Sequence, residues 1–532
     1  MGFDTIIRNG TIIDGSKQPR FKADVGITGG RIEAIGDLGK AEAKRVIDAK
    51  GMIVVPGFID MHSHSDRTII DDPGGESKVH QGVTTDVVGN CSYSPFPVPP
   101  GGPLGGYKFQ TTNVEWGWSD LAGWAKMIEE KGVSMNIAPQ AGHAAVRAAA
   151  GLLDNRPPTP DEMANMRRLT AEAVEQGAFA FTTGLTLPPG SYATTDEIVS
   201  IVEAIKPYDG AFYATHARLW ANNHVGAVKE AVEVGRRTGV PVQYSHMAII
   251  DSRVYGQGET MTDPIERAHD RGMDVTYDMY PYTAAGSHLA QLIPDWVQEG
   301  GVVKMLERLR TPAIRKKAIE DTRKGWFKGL PWEFDSIVIA SVSSEKFHSI
   351  VGKSVAQIAK ERKADPHETY LTLIDENDNN VGAVFHNRVE GDVRYFMGHP
   401  LAMIGSDGSA ISPSGKYSKD KPHPRFYGTY PRILGRYIRQ KPSVMTLEEA
   451  IYKMTAFPAK RMRFKDRGVI KIGYIADITI FNPDTVIDNA TFDNPHQLPT
   501  GVPHVLVGGE PVVSNGKHTG ARPGKVLRRG SS

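Results

Sequence analysis

The chain has 532 residues, 40% of them hydrophobic, which allows a large buried core and more than one structural unit. Its 62 lysine and arginine residues balance 61 acidic residues, so we expect no nucleic-acid or membrane partner. A single cysteine excludes an internal disulfide, residues 1–15 resemble strands rather than a signal segment, and no long apolar run occurs. We therefore expect a cytoplasmic protein, and its oligomeric state stays open.

Both ends of the chain have a pattern of short β-strands separated by glycine turns. Near the N-terminus, Asn9-Gly10 is a hairpin signal and Gly29-Gly30 marks a second turn. After Gly468 the same pattern returns in GVIKIGYIADITIFNP. We predict that residues 1–56 and 467–532 together form a small β-sandwich domain.

Between these ends, apolar strands alternate with helices. Helix starts such as Thr159, followed by Pro160 and Glu162, separate eight candidate strands. The strands are MIVVPGFIDMHSH, TTDVVGNC, SMNIAPQAGH, AFAFTTGL, AFYATHAR, PVQYSHM, DVTYDMYPY and LAMIGSDGS. The pattern predicts an α/β fold with a (β/α)8 barrel over 57–466, although a doubly wound sheet has the same alternation. Residues from about 288 to 345 interrupt the alternation and are predicted to be an inserted lid.

Six side chains that can bind a metal or transfer a proton come at the ends of these strands. In a parallel barrel the C-terminal ends of all strands open onto one face, so the six would converge there. Each alone has an ordinary structural explanation, such as a buried cysteine or a helix cap. Their joint occurrence favours a metal site formed by His62, His64, Cys91, His216, His246 and Asp407.

The residue types indicate the chemistry of such a site. Imidazole and thiolate ligands favour zinc over magnesium or calcium. Zinc polarises a carbonyl group and lowers the pKa of a bound water from about 16 to about 7. Asp407 is then placed to take the proton of that water and return it to a leaving amine. The residues predict zinc-dependent hydrolysis of an acyl or amide bond in a small-molecule substrate.

The motif PGFIDMHSH, with histidines on the fifth and sixth strands and an aspartate on the eighth, resembles the amidohydrolase superfamily over essentially the whole chain. Longer strings are similar to its D-aminoacylase (N-acyl-D-amino-acid deacylase) group. They are GVTTDVVGNCSYSPFPV, LPPGSYATTDEI, DMYPYTAAGS and PHPRFYGTYPRILGRY. The resemblance implies the barrel, the split β-sandwich, a lid, and deacylation of N-acyl-D-amino acids.

The resemblance also implies roles for the metal-site residues. It places one tightly bound zinc ion on Cys91, His216 and His246. A weaker second metal position would use His62 and His64 and share the Cys91 thiolate.

Further roles concern the reaction and the substrate. By resemblance, Asp407 is the general base and acid, and Arg425 binds a substrate carboxylate. His143 is a further candidate, because it ends the third candidate strand. The substrate-binding candidates are therefore Arg425, Tyr280 or Tyr282, Ser287 and His143.

One departure from the D-aminoacylase pattern concerns Ala248. Those enzymes have a lysine two residues after the sixth-strand histidine, where this chain has alanine. A bidentate arginine such as Arg425 can bind a carboxylate unaided, but the substrate could equally lack one. The alternatives are therefore another amide, a cyclic amide, a lactone or a D-dipeptide as substrate, or a non-catalytic structural relative.

Overall fold

The computed structural model describes residues 2–99, 102, 116–219, 223–326 and 329–530. Among them, no helix is both long enough and apolar enough to cross a membrane. The strands are β1 (Phe3–Ile12), β2 (Phe21–Thr28), β3 (Arg31–Gly36), β4 (Ala43–Asp48), β5 (Ile53–Pro56), β6 (Phe58–Asp60), β7 (Val83–Val88), β8 (Asn136–Pro139), β9 (Ala141–Gly142), β10 (Ala180–Gly184), β11 (Phe212–His216), β12 (Val242–Tyr244), β13 (Val275–Met279), β14 (Ala285–His288), β15 (Ile337–Val342), β16 (Val381–Phe385), β17 (Ala402–Ile404), β18 (Ile478–Phe481), β19 (His504–Val507), β20 (Glu510–Ser514) and β21 (Lys517–His518).

Helices connect many of these strands. They are α1 (Ser65–Asp71), α2 (Glu76–Val79), α3 (Leu121–Lys131), α4 (His143–Ala149), α5 (Pro160–Glu175), α6 (Thr195–Glu203), α7 (His224–Thr238), α8 (Gly258–Asp270), α9 (Asp295–Gln298), α10 (Val302–Arg310), α11 (Pro312–Thr322), α12 (Val355–Arg362), α13 (Pro366–Glu376), α14 (Glu390–Gly398), α15 (Arg425–Arg432), α16 (Leu447–Met454) and α17 (Ala456–Arg461). Short 3-10 turns and a π-helical segment, Ile433–Arg439, complete the set.

Strands from both chain ends form one sheet, which we call the end sheet. Its order is β21-β20-β19-β18-β5-β1-β2-β3, and β4 pairs with β1. The ends meet where β5 pairs antiparallel with β18. The Asn9-Gly10 hairpin prediction is wrong, because β1 continues through this dipeptide with a register shift. Asn9 takes the left-handed conformation, φ 61°, that asparagine tolerates, and it produces a bulge instead of a turn.

Eight parallel strands lie in two further sheets of the described structure. Their orders are β17-β13-β12-β11-β10-β9 and β6-β7-β8, where β8 and β9 are consecutive segments of one strand. The sheets are hydrogen-bonded to each other, since Met61 N–H donates to the Ile404 carbonyl at 3.3 Å and Asp407 N–H to the His62 carbonyl at 2.8 Å. Each of the eight candidate strands overlaps one of these parallel strands, which confirms the α/β class.

Helix starts follow the capping signals in the sequence. At α5, the Thr159 side chain accepts from the Glu162 N–H while Glu162 accepts from the Thr159 N–H, and α16 has the same arrangement at Thr446 and Glu449. Each cap satisfies backbone donors that the first turn leaves unpaired and contributes about 1 kcal/mol. The apolar faces of these helices pack into the main core around the parallel strands.

An inserted unit lies between β13 and β17. It contains helices α9–α13 and a three-stranded antiparallel sheet with the order β14-β16-β15. It has a hydrophobic cluster of its own, including Leu292, Ile339 and Tyr370. The unit runs from about 285 to 385, so the predicted insertion of 288–345 covers only part of it. Helices α12 and α13 and strand β16 continue the alternation of strands and helices, so periodicity alone could not distinguish them from elements of the predicted barrel.

The last described residues leave the end sheet and pack against the parallel strands. Ile137 of β8 donates its N–H to the Lys525 carbonyl at 2.9 Å, and Leu527 donates back to the Ile137 carbonyl at 2.8 Å. The segment predicted as sandwich, 467–532, therefore includes residues that contact β8 rather than the end sheet.

A buried charged cluster joins α4 to α6. Both carboxylate oxygens of Glu197 lie 2.7 and 2.8 Å from Nη1 of Arg147, and Nε2 of His143 lies 3.0 Å from the same carboxylate. All three side chains are buried. Burial favours a higher pKa for Glu197, but His143 and Arg147 outweigh it and lower the pKa below its usual value.

Replacing Arg147 with methionine should destabilise the fold by about 3–5 kcal/mol at neutral pH, because it leaves a buried carboxylate without its main partner. The lowered pKa of Glu197 means that the pair stabilises the fold above the ordinary glutamate pKa and loses this contribution in acid. The difference from wild type, measured by urea denaturation from pH 8 down to pH 3, should therefore stay constant above the ordinary glutamate pKa and shrink below it.

The matched control is Arg168→Met, which removes an exposed i,i+4 pair with Glu172. This change should cost no more than about 0.5 kcal/mol. Equal losses for the two variants, independent of pH, would show that the Arg147 pair contributes no special stability.

Candidate metal centre

The metal-competent side chains lie at or just beyond the carboxyl ends of the parallel strands. His216 is the last residue of β11, and the others follow their strands by two to four residues. Three of them adopt left-handed backbone conformations that are strained for residues other than glycine. Their φ angles are 52° at Cys91, 37° at His246 and 51° at Asp407. Strain of this kind is typical of sites that fix side chains for a function.

The ligand atoms form two groups that share the Cys91 sulfur. One group is Cys91, His216 and His246, and the other is His62, His64, Cys91 and Asp407, with the atoms of each group within 4.8 Å of one another. The sulfur lies 3.2 Å from Nε2 of His62 and 3.3 Å from Nε2 of His246. A thiolate with several imidazoles is a donor set that fits zinc.

Asp278, at the end of β13, orients two of these histidines. Its carboxylate lies 3.1 Å from Nδ1 of His62 and accepts the backbone N–H of His246 at 2.8 Å. It also accepts a hydrogen bond from Gln243 at 2.9 Å. A carboxylate beside Nδ1 directs the other ring nitrogen of His62 towards Cys91, which is the usual outer support of a metal-binding histidine.

The charges of the centre stabilise one another. Burial raises the pKa of the Cys91 thiol, but His62 and His246 outweigh it and lower that pKa well below the usual range. Burial likewise opposes the charge of Asp407, but Arg425 and His64 hold its pKa well below the usual range. His64 is affected in turn, because Asp407 and Cys91 overcome its burial and raise its pKa to about 9. Thiolate and carboxylate are the forms that bind a divalent cation.

A second buried charge network supports the strand ends. Nζ of Lys78 lies 2.6 Å from Asp60, 3.4 Å from Asp86 and 2.7 Å from the Ser406 hydroxyl. Asp60 also accepts the backbone N–H of Ser406 at 2.7 Å. Because Asp60 and Ser406 stand close in sequence to His62 and Asp407, this network fixes the segments that carry those side chains.

All the metal-competent residues except the fully buried His62 line a cavity of about 300 Å³. Several predicted substrate-binding residues line it, as does Ala248 where the lysine was expected. Arg425 is already engaged within the protein, since its Nη1 lies 2.9 Å from Asp407 Oδ2. The predicted residues on the cavity wall are His64, Cys91, His216, His246, Tyr280, Ser287, Asp407 and Arg425.

Two predicted substrate-binding residues do not line this cavity. His143 is the first residue of α4 rather than the end of a strand, and its side chain is buried against Glu197. Tyr282 packs edge-on against His423 and donates to the Pro424 carbonyl at 3.4 Å. Strand β13 ends at Met279, so the period-two rule that would keep Tyr280 and Tyr282 on one face no longer applies.

Sequence reasoning also missed residues that the structure brings to the centre. Asp278 lies in the middle of the candidate strand DVTYDMYPY, so a rule based on strand ends did not select it, although β13 ends one residue later. Thr186, with its hydroxyl 2.6 Å from Nε2 of His216, and Lys78 have no such signal. Arg388 lines the cavity from the far end of the inserted unit.

Comparisons with known proteins identify the family of the chain. The sequence matches the amidohydrolase family over residues 45–183 and 397–513. It is 35% identical to an N-acyl-D-glutamate deacylase of Alcaligenes xylosoxydans xylosoxydans, over 99% of this chain and 97% of that protein. The chain belongs to the amidohydrolase family, in its D-aminoacylase group. It is a metal-binding hydrolase that acts on amide C–N bonds.

Two solved structures are similar to this amidohydrolase along its whole length. One is the N-acyl-D-glutamate deacylase from Bordetella bronchiseptica, complexed with zinc and a phosphonate that mimics the tetrahedral intermediate, with TM-score 0.83 and 32% identity. The other is a D-aminoacylase with a binuclear metal centre, with TM-score 0.84 and 31% identity. Each alignment covers 99% of this chain and 100% of the other.

Replacing Lys78 with methionine in this amidohydrolase should lower its stability by about 3–5 kcal/mol, because Asp60 and Asp86 would remain buried as like charges. Urea denaturation measures the loss. The double variant Lys78→Met/Asp86→Asn should recover part of it, since one of the two uncompensated charges is removed. Additive losses in the double variant would contradict a coupled network.

Proposed function

We propose that this chain is a zinc-dependent deacylase of N-acyl-D-amino acids. The observation that carries the proposal is that the Cys91 sulfur is shared by two groups of imidazoles, one of which includes Asp407. The cavity at this centre is also lined by Arg425. Two of the similar proteins are named as deacylases of N-acyl-D-glutamate, one of them in complex with zinc, which supports both the substrate class and the metal.

The donor set supports one tightly bound zinc and a weaker second position. The tight site would use Cys91, His216 and His246, whose ligand atoms converge and whose sulfur has a lowered pKa. The second would use His62 and His64 and share the thiolate. A binuclear centre in a similar D-aminoacylase supports two positions.

The proposed mechanism assigns the proton transfers to Asp407. When bound, zinc supplies a Lewis acid that polarises the substrate carbonyl and makes a water molecule more acidic. Asp407 accepts the proton of the water that attacks the carbonyl carbon. As the C–N bond breaks, Asp407 returns this proton to the leaving nitrogen, giving a free carboxylic acid and a D-amino acid. Positioned acid–base catalysis of this kind contributes about 10²–10⁴-fold.

His64 and Arg425 set the state of that base. The 3.0 Å contact with His64 and the 2.9 Å contact with Arg425 use different oxygens of the Asp407 carboxylate. Both contacts favour the ionised form, so Asp407 would start each turnover without a proton. Tyr280, Ser287 and Arg425 on the cavity wall would contact the substrate, with Arg425 directed at its carboxylate through Nη2 while Nη1 keeps its contact with Asp407.

The proposal includes the finer architecture. Hydrogen bonds between the first and last parallel strands support a closed (β/α)8 barrel over residues 57–466. The pairing of β5 with β18 supports a β-sandwich built from 1–56 and 467–532. The inserted unit contributes cavity residues such as Ser287, Trp326 and Phe385, which supports its role as a lid.

A second candidate function is hydrolysis of another amide, a cyclic amide, a lactone or a D-dipeptide. The observation in its favour is Ala248, which lines the cavity where a cationic side chain was expected. A non-catalytic relative is disfavoured, because the chain keeps all five metal-competent ligands and Asp407.

The first test is hydrolysis of N-acetyl-D- and N-acetyl-L-amino acids by the zinc-loaded chain and by Asp407→Asn. We expect turnover of the D series alone, reduced at least about 100-fold in the variant because the proton acceptor is lost. Zinc content by mass spectrometry should stay near wild type, since the tight site does not use Asp407. The control is Asp484→Asn, an exposed residue far from the cavity, which should not change the rate.

Turnover that survives Asp407→Asn would remove the assigned base. Bound zinc without turnover of either series would instead point to uncharged amides, cyclic amides or lactones.

A separate prediction concerns the metal. Cys91→Ala should weaken zinc binding by more than about 100-fold, since loss of an outer-shell partner alone costs 10–100-fold. Competition with a chromogenic chelator measures the affinity of both proteins. His216→Ala should have a similar effect, whereas His64→Ala should leave the tight site intact. Equal losses in all three would indicate one site rather than a tight and a weak one.

A further inference from the structure

The cavity holds a second guanidinium group that the proposed mechanism does not use. Arg388 follows β16, lines the cavity, and anchors its backbone by donating its N–H to the Thr283 carbonyl at 3.2 Å. Its Cζ lies 4.4 Å from the centroid of the Tyr280 ring, and Cζ of Arg425 lies 4.6 Å from the same centroid. One aromatic ring therefore contacts two cationic side chains.

The two arginines differ in how far the protein already satisfies them. Arg425 pairs with Asp407 through Nη1 and donates Nη2 to the Gly286 carbonyl at 3.2 Å. Within the described residues, Arg388 has no carboxylate at ion-pair distance, and this is the difference between the two, since the buried Nε makes no hydrogen bond in either arginine. Burial lowers the pKa of the Arg388 guanidinium, as expected for a cation removed from water.

A buried cation without a counter-ion is unfavourable unless a ligand supplies the charge. The cavity wall combines apolar side chains such as Leu187 and Phe385 with the carboxylates of Asp407 and Asp420, neither of which lies at ion-pair distance from Arg388. A planar guanidinium with free donors matches a carboxylate, which it can bind through two parallel hydrogen bonds. The stack on Tyr280 fixes the plane of the group in advance.

We propose that Arg388 binds a carboxylate of the substrate and determines specificity for anionic N-acyl amino acids. This inference rests on the proposed deacylase function of the same cavity. Arg425 would keep its contact with Asp407, and Arg388 would be the cation that compensates for the absence of a charged side chain at Ala248. The carboxylate has two sources, the α-carboxylate that every such substrate carries and the side-chain carboxylate of an acidic amino acid.

The test compares wild type with Arg388→Met on three substrates. These are N-acetyl-D-leucine, with one carboxylate, N-acetyl-D-glutamate, with two, and N-acetyl-D-leucinamide, with none. Loss of a charge-assisted pair should lower kcat/KM for carboxylate substrates by roughly 10- to 100-fold, mainly through KM. The carboxamide should be unaffected, and Arg388→Lys should restore part of the loss because it keeps the charge.

The pattern of activity losses across the three substrates identifies which carboxylate Arg388 binds. A loss on both acids but not on the carboxamide assigns Arg388 to the α-carboxylate, and a loss confined to the glutamate substrate assigns it to the side chain. An equal loss on all three substrates, or none, would overturn the inference and leave Arg388 as a packing partner of Tyr280. Arg394→Met, which removes a cation from α14 outside the cavity, should match wild type throughout.

Failure of the proposed function is distinguishable from failure of this inference. If the wild-type chain hydrolyses none of the compounds, calorimetry measures binding of N-acetyl-D-leucine, N-acetyl-D-glutamate and the carboxamide instead. Carboxylate binding that disappears in Arg388→Met would then support the anion site although the deacylase function had failed. Binding of either acid that is unchanged in the variant would overturn the anion site, as would no binding of either acid to wild type.

Discussion

A buried thiolate at the meeting point of several strands is the constraint on which the centre depends. The Cys91 sulfur contacts His62 and His246 at 3.2 and 3.3 Å, and a sulfur ionised away from water requires positive charge on several sides. The parallel strands supply it, because side chains at their carboxyl ends reach one region from different directions. The left-handed conformation at Cys91 is one local consequence of bringing the sulfur there.

A further set of buried charged residues fixes the positions of the side chains that form the centre. Asp278 supports His62 and the backbone of His246, while Lys78 links Asp60 and Asp86 beside the same strand ends. Removing such groups from water is expensive, and the arrangement is tolerable only because nearly every charge has a partner of opposite sign. Close packing leaves little freedom to relax, since a Cβ at Gly405 would lie 2.4 Å from Cβ of His62.

The sequence predicted the parallel strands and the metal-competent residues because both depend on local rules. Strand periodicity marks the strand ends, and residue chemistry marks His216, His246 and Cys91. The supporting contacts do not follow from local rules, because they join residues far apart in sequence. Lys78 and Ser406, for example, are separated by more than 300 residues. Local rules also do not show where the inserted unit ends, so its predicted length was too short. Nor do they show whether a residue such as His143 ends a strand or begins a helix.

The pairing of charged groups in the cavity connects catalysis with substrate recognition. Asp407 is held ionised by Arg425, and a carboxylate that took Arg425 for itself would compete with the base for the same guanidinium. Two guanidinium groups beside Tyr280 reduce this conflict, because Arg425 can keep Nη1 on Asp407 while Arg388 supplies a further positive charge to the substrate. On this view Arg388 does more than replace a missing lysine. It allows substrate binding to leave the protonation state of the proposed base unchanged.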